Sequence, residues 1–137
     1  VMAGSDIVAL DATGRPRLDG LSFAQTVAAL REDGTLVMAD CGSFEDAQRA
    51  VDAGVDIVST TLAGYTGDRV KTDGPDLELL REVVAAFPDV PVICEGRVHT
   101  PEQAAAAIEA GAFAVIVGTA ITHPTSITTW FKAAVED

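Results

Sequence analysis

The side chains that could do chemistry recur in one context: each follows a short apolar run. Glu95 closes Pro91-Val92-Ile93-Cys94 and is followed by Gly96 and Arg97. Asp40 closes Leu36 to Ala39, and Asp11 with Thr13 follows Ile7 to Leu10. Thr60 and Thr61 end a run from Ile57, ahead of Tyr65. Gly118 and Thr119, with His123 beyond, follow Ala114 to Val117. Acids brought near one another shift each other's pKa and can serve acid–base work, which makes Glu95 and Asp40 catalytic candidates. Asp11 and Asp40 could instead only hydrogen-bond loop backbone, and for Asp11 the sequence slightly favours that. Val117-Gly118-Thr119-Ala120 is the candidate anion site, because glycine lets backbone N–H groups approach a phosphate at a helix start. Gly96 is its expected partner from the neighbouring loop.

Other chemistries lack their spacing. Neither G-x-G-x-x-G nor G-x-x-x-x-G-K-[ST] occurs, so a dinucleotide or nucleoside triphosphate is not indicated. No His/Cys/Asp cluster has zinc spacing, and His99 and His123 read as isolated loop residues. No G-x-S-x-G elbow is present. Cys41 and Cys94 lie at strand-like runs and read as small buried residues in a reducing compartment.

These residues must be held by five strand-helix units. Ala3-Gly4-Ser5-Asp6-Ile7-Val8 resembles Ala53-Gly54-Val55-Asp56-Ile57-Val58, with a looser copy from Ala110. In each, Ala-Gly ends a helix, glycine taking the left-handed position, and a strand begins two residues later. Strands are expected at 7–10, 36–39, 57–61, 92–95 and 114–117. Helices are expected at 21–32, 44–52, 77–87, 101–110 and 126–135. Ser22 with Gln25 and Thr100 with Gln103 are spaced for capping boxes, Pro101 suits the first helical position, and Ser43 and Asp76 are N-cap residues. Residues 62–75 form a long loop of the kind that is usually functional or mobile. Trp130 and Phe131 are expected to pack in the core.

Strict alternation of apolar strands and helices means a parallel α/β sheet. Two architectures fit: part of a (β/α)8 barrel of the TIM type, or an open five-stranded doubly wound sheet. Val1-Met2-Ala3-Gly4 reads as the last turn of a helix that starts upstream, which favours the barrel, with this single domain, 1–137, as its C-terminal part. An opened barrel exposes strand edges and an apolar interior, so the isolated chain is expected to aggregate, pair with another copy as a homo-oligomer, or rearrange. The net charge of −12 over 137 residues argues against nucleic acid and anionic membranes as partners. No apolar run approaches the roughly 18 to 20 residues of a membrane span, and no secretory signal is evident.

Five ordered words carry a resemblance. They are Ile7-Val8-Ala9-Leu10-Asp11-Ala12-Thr13 with Arg15-Pro16-Arg17, Met38-Ala39-Asp40, Thr60-Thr61-Leu62-Ala63-Gly64-Tyr65-Thr66, Glu95-Gly96-Arg97 with Thr100-Pro101, and Val117-Gly118-Thr119-Ala120-Ile121-Thr122. With them the chain resembles the bacterial N-acetylmannosamine-6-phosphate 2-epimerases over nearly its whole length. The resemblance maps it onto strands four to eight of a phosphate-binding barrel. It implies a cytoplasmic isomerase of amino-sugar and sialic acid catabolism that moves a proton at C2 and needs no metal or organic cofactor. Glu95 would be the acid, and Asp40 would orient substrate or the catalytic groups. Gly96, Gly118 and Thr119 would bind phosphate, and Thr61 and Tyr65 would line the sugar pocket. Asp11, Arg97 and His123 join the substrate- and phosphate-side candidates. The family's lysine, at the end of the third barrel strand, has no counterpart in Lys71 or Lys132, so further units with that lysine are expected upstream. His123 stands where the family usually has arginine. The alternatives are a phosphosugar-binding module without turnover, or another phosphate-binding barrel enzyme such as an aldolase or a pentulose-phosphate epimerase.

Overall fold

The order of elements follows the alternation in the sequence. The computed structural model describes residues 4–136. In chain order they are β1 (Ile7–Asp11), α1 (Phe23–Glu32), β2 (Leu36–Asp40), α2 (Phe44–Asp52), β3 (Ile57–Ser59), α3 (Leu77–Ala86), β4 (Val92–Glu95), α4 (Pro101–Glu109), β5 (Ala114–Ile116), α5 (Thr119–Thr122) and α6 (Pro124–Glu136). Local chemistry sets the helix starts. Ser22 and Thr100 each close a capping box, with Gln25 and Gln103, and Ser43 and Asp76 each accept the N–H three residues on. Gly54 and Gly111, just past α2 and α4, take φ of +85° and +103°, a region in which only glycine is at ease. The matching turn at Val1–Ala3 lies outside the described residues.

The five strands form one parallel sheet in the order β1-β2-β3-β4-β5. A doubly wound sheet reverses its strand order at a switch point, and this one never does. With right-handed crossovers, an unreversed order sends every helix to the same face. The sheet is therefore a singly wound arc of barrel type, and the doubly wound alternative is set aside. Alternate strand residues Val37, Ala39, Val58, Val92 and Cys94 are buried beneath the helices with Val27, Ala47, Leu79, Leu80 and Val83. The opposite, concave face carries the half-exposed Ile7, Leu36 and Ile116. Cys41 and Cys94 are buried free thiols.

Several expectations need correction. α1 begins at Phe23 rather than Leu21, because Ser22 is the cap. β3 ends at Ser59, because Thr60 turns its hydroxyl onto the backbone of β4. The segment after β5 contains the short helix α5, and α6 starts at Pro124 rather than Ser126, as proline suits a first turn. Trp130 and Phe131 are not core residues: they are 38% and 73% exposed, and α6 has no buried residue. β5 is an edge strand among those described, and α6 contacts chiefly its neighbour α5. Trp130 instead packs its ring against His99, centroids 4.7 Å apart.

Candidate active site

Parallel pairing brings all five strand ends to one rim, and the register decides which side chains meet. Asp11, Asp40 and Ser59 stand in one row across β1, β2 and β3, with Ile93 next on β4. Glu95 lies two residues beyond Ile93 on the same concave face. Its carboxylate accepts a hydrogen bond from the Ser59 hydroxyl, Oγ to Oε2 3.0 Å. Thr60 ties down the Glu95 backbone: its Oγ1 accepts from the Glu95 N–H at 3.2 Å and donates to the Glu95 carbonyl at 3.1 Å.

The Asp40 carboxyl is pushed up to about 6. Burial is the main cause, and the negative charges of Glu95 and then Asp11 add to it. Its Oδ1 is buried with no hydrogen-bond partner among the described residues. Asp11 behaves otherwise. It accepts from the Thr13 N–H at 2.9 Å and the Thr13 hydroxyl at 2.6 Å, and it pairs with Arg15. Burial alone would raise its carboxyl, but the Thr13 hydrogen bonds and the Arg15 charge outweigh that and hold it below the usual range. Asp11 is thus hydrogen-bonded and ion-paired within its own loop.

A cavity of about 210 Å³ opens beside Glu95, lined by Thr61, Tyr65, Glu95, Gly96, Arg97, His99, Gly118 and Thr119. Gly96 has φ +98°, and a Cβ there would come within 3.3 Å of the Thr61 carbonyl oxygen, so the chain passes close at this turn. Gly118 is the N-cap of α5 and has no side-chain cap. Gly96 and Gly118, from the loops after β4 and β5, therefore line one space. A wider surface cleft of about 1070 Å³, lined among others by Thr13, Arg15, Asp46 and Arg69, contains neither Glu95 nor Asp40. Of the two, the smaller cavity is the one lined by Glu95 together with Gly96 and Gly118.

Two further candidates have partners of their own. Arg97, itself at φ +57°, spends its guanidinium on the loop at 62–75: Nε donates to the Gly74 carbonyl at 3.1 Å, Nη1 to the Ala63 carbonyl at 2.7 Å and Nη2 to Thr72 Oγ1 at 3.0 Å. It is a clamp rather than a free cation. It also lies over the Tyr65 ring, 5.0 Å from the centroid, with Lys71 Nζ at 4.9 Å. His123 does not line the cavity; its Nδ1 meets Ser126 Oγ at 2.7 Å and accepts from the Ser126 N–H at the start of α6. Ser59 is the site residue that sequence reading missed. The signal available was weak: Ser59 is the first of three consecutive hydroxyl residues, Ser59-Thr60-Thr61, after Ile57-Val58. Among the described residues, no group of three or more His, Cys, Asp or Glu is placed to hold a metal ion.

A singly wound β/α sheet with a carboxylate and paired glycine turns at its strand ends defines a barrel-type α/β protein. The family model described as "NanE: Putative N-acetylmannosamine-6-phosphate epimerase" matches residues 1–137, and the chain belongs to that family. A Cutibacterium acnes protein of the same description, as a 2-epimerase, is 59% identical over 134 residues, covering 96% of this chain and 58% of the relative. One from Caldanaerobacter subterraneus is 44% identical over 139 residues, covering 100% and 58%. The solved N-acetylmannosamine-6-phosphate 2-epimerase from Clostridium perfringens superposes with a TM-score of 0.90 at 43% identity, covering 94% of this chain and 56% of that one. The chain thus spans a little over half the length of these relatives.

Proposed function

We propose that the protein interconverts N-acetylmannosamine 6-phosphate and N-acetylglucosamine 6-phosphate by proton transfer at C2. The observation that carries this is the Glu95 carboxylate fixed at the mouth of a cavity whose other walls include the open turns at Gly96 and Gly118. The sugar phosphate would be held at those turns and Thr119, with Thr61 and Tyr65 along the sugar. In the opened sugar the C1 aldehyde acidifies the C2 hydrogen. Loss of that proton gives an enolate that bears the acetamido group at C2, and a proton returned to the other face gives the epimer. Glu95 handles the proton on one face, and Asp40 orients the reacting groups. The partner base on the other face is assigned, by family resemblance, to a lysine on a strand preceding β1. Lys71 and Lys132 do not match that lysine: Lys71 lies over the Tyr65 ring and Lys132 pairs with Glu136.

The test is exchange of the C2 proton of N-acetylmannosamine 6-phosphate into deuterated water, followed by NMR, in the full-length protein that carries that lysine. Exchange that falls at least ~100-fold in Glu95→Gln is expected. Exchange undiminished in Glu95→Gln, or binding of the sugar phosphate without exchange in the wild type, would overturn the reading. The same proposal includes a cytoplasmic location and a homo-oligomeric state. What supports it is that no described helix is long and apolar enough to cross a membrane, and that Phe113 and Phe131 are largely exposed. Light scattering reads the oligomeric state directly.

A further inference from the structure

Ser59 is fully buried on β3, between Asp40 of β2 and Ile93 of β4. A buried hydroxyl must find a partner, and this one has taken the Glu95 carboxylate, 3.0 Å away. Among the described residues no other side chain hydrogen-bonds that carboxylate, and Oε1 is left open. Thr60 fixes the Glu95 backbone and Ser59 fixes its head, so two consecutive residues hold the acid from both ends. A hydroxyl carries one hydrogen, so the choice is exclusive. Asp40, in register with Ser59, keeps an unpartnered Oδ1 while Glu95 receives the donor.

We infer that Ser59 is a positioning residue, whose hydrogen bond to one oxygen of Glu95 aims the other at the reacting carbon. This rests on the epimerase reading above. The role acts through Glu95, and Ser59 need not touch the sugar. Its loss should therefore slow the chemical step while leaving binding of the sugar phosphate alone, because the glycine turns that flank the cavity are elsewhere. A hydroxyl buried only for packing would show no such division.

The experiment measures kcat and KM for N-acetylmannosamine 6-phosphate with the full-length wild type, Ser59→Ala and Ser59→Cys. Cysteine keeps nearly the volume of serine but donates weakly, so it serves should the alanine variant fold poorly. Wild type without exchange of the C2 proton would fail the epimerase reading itself, separately from this inference. With an active wild type, kcat is expected to fall about 10- to 100-fold in both variants, the worth of a hydrogen bond to a charged group, with KM within about twofold. A kcat within about twofold of wild type, or a loss that falls on KM instead, would overturn the role.

Discussion

A carboxylate at a strand end is read from sequence more easily than its partners are. Glu95 and Asp40 stand out because each closes an apolar run, and the strands placed both where the pattern put them. Ser59 was hidden because its partner is 36 residues away in the chain, a contact that only the β3–β4 register creates. Arg97 was legible as a charge but not as a clamp, for the same reason. Asp40 carries a stability consequence. Its folded value, about 6, exceeds the unfolded 3.8, so the folded state binds more protons between them. Stability from this group is complete below about pH 4 and is lost as pH rises through about 6. Asp40→Asn is therefore expected to stabilise the protein at pH 7 by about 1–2 kcal/mol, the full conversion being discounted because the carboxyl is only partly buried and screened by solvent, and to change little at pH 4. Urea unfolding at the two pH values checks this, and an equal effect at both would show that the carboxyl is not strained by its charge.

At the scale of elements, the chain punctuates itself. Ser22, Ser43, Asp76 and Thr100 cap their helices because each places an oxygen over an unpaired N–H, a rule confined to four residues and so visible in sequence. The loop at 62–75 obeys no such local rule. Its form depends on Arg97 reaching three acceptors in it, at Ala63, Thr72 and Gly74, and on Arg69 donating to the Asp76 cap with Nη2 at 3.0 Å. A lysine has no planar fork to serve three sites. Arg97→Lys should loosen the loop while leaving the sheet intact. Trypsin cleavage after Arg69 and Lys71 is expected to quicken about tenfold, from the loss of one or two hydrogen bonds, with Tm little changed. Unchanged cleavage would mean that the turns of the loop hold it without Arg97.

Over the whole molecule, protection should follow the order of the strands rather than the order of the chain. β2 and β3 each have two strand neighbours and lie under helices that leave Val37, Ala39 and Val58 with no exposed surface. α6 is the opposite extreme, without one buried side chain and carrying the exposed Phe131 and Val135. Sequence alone did not distinguish the two, because an amphipathic helix has an apolar face whether or not anything covers it. The strand order that leaves α6 uncovered is a property of the sheet, not of residues 124–136. Amide hydrogen exchange should therefore be slowest at Val37, Ala39 and Val58, and at least about 100-fold faster along α6. Should α6 prove as protected as α3, its Trp130–Phe131 face must be buried in solution against another protein surface, and Phe131→Ser would then expose those amides without disturbing β2 or β3.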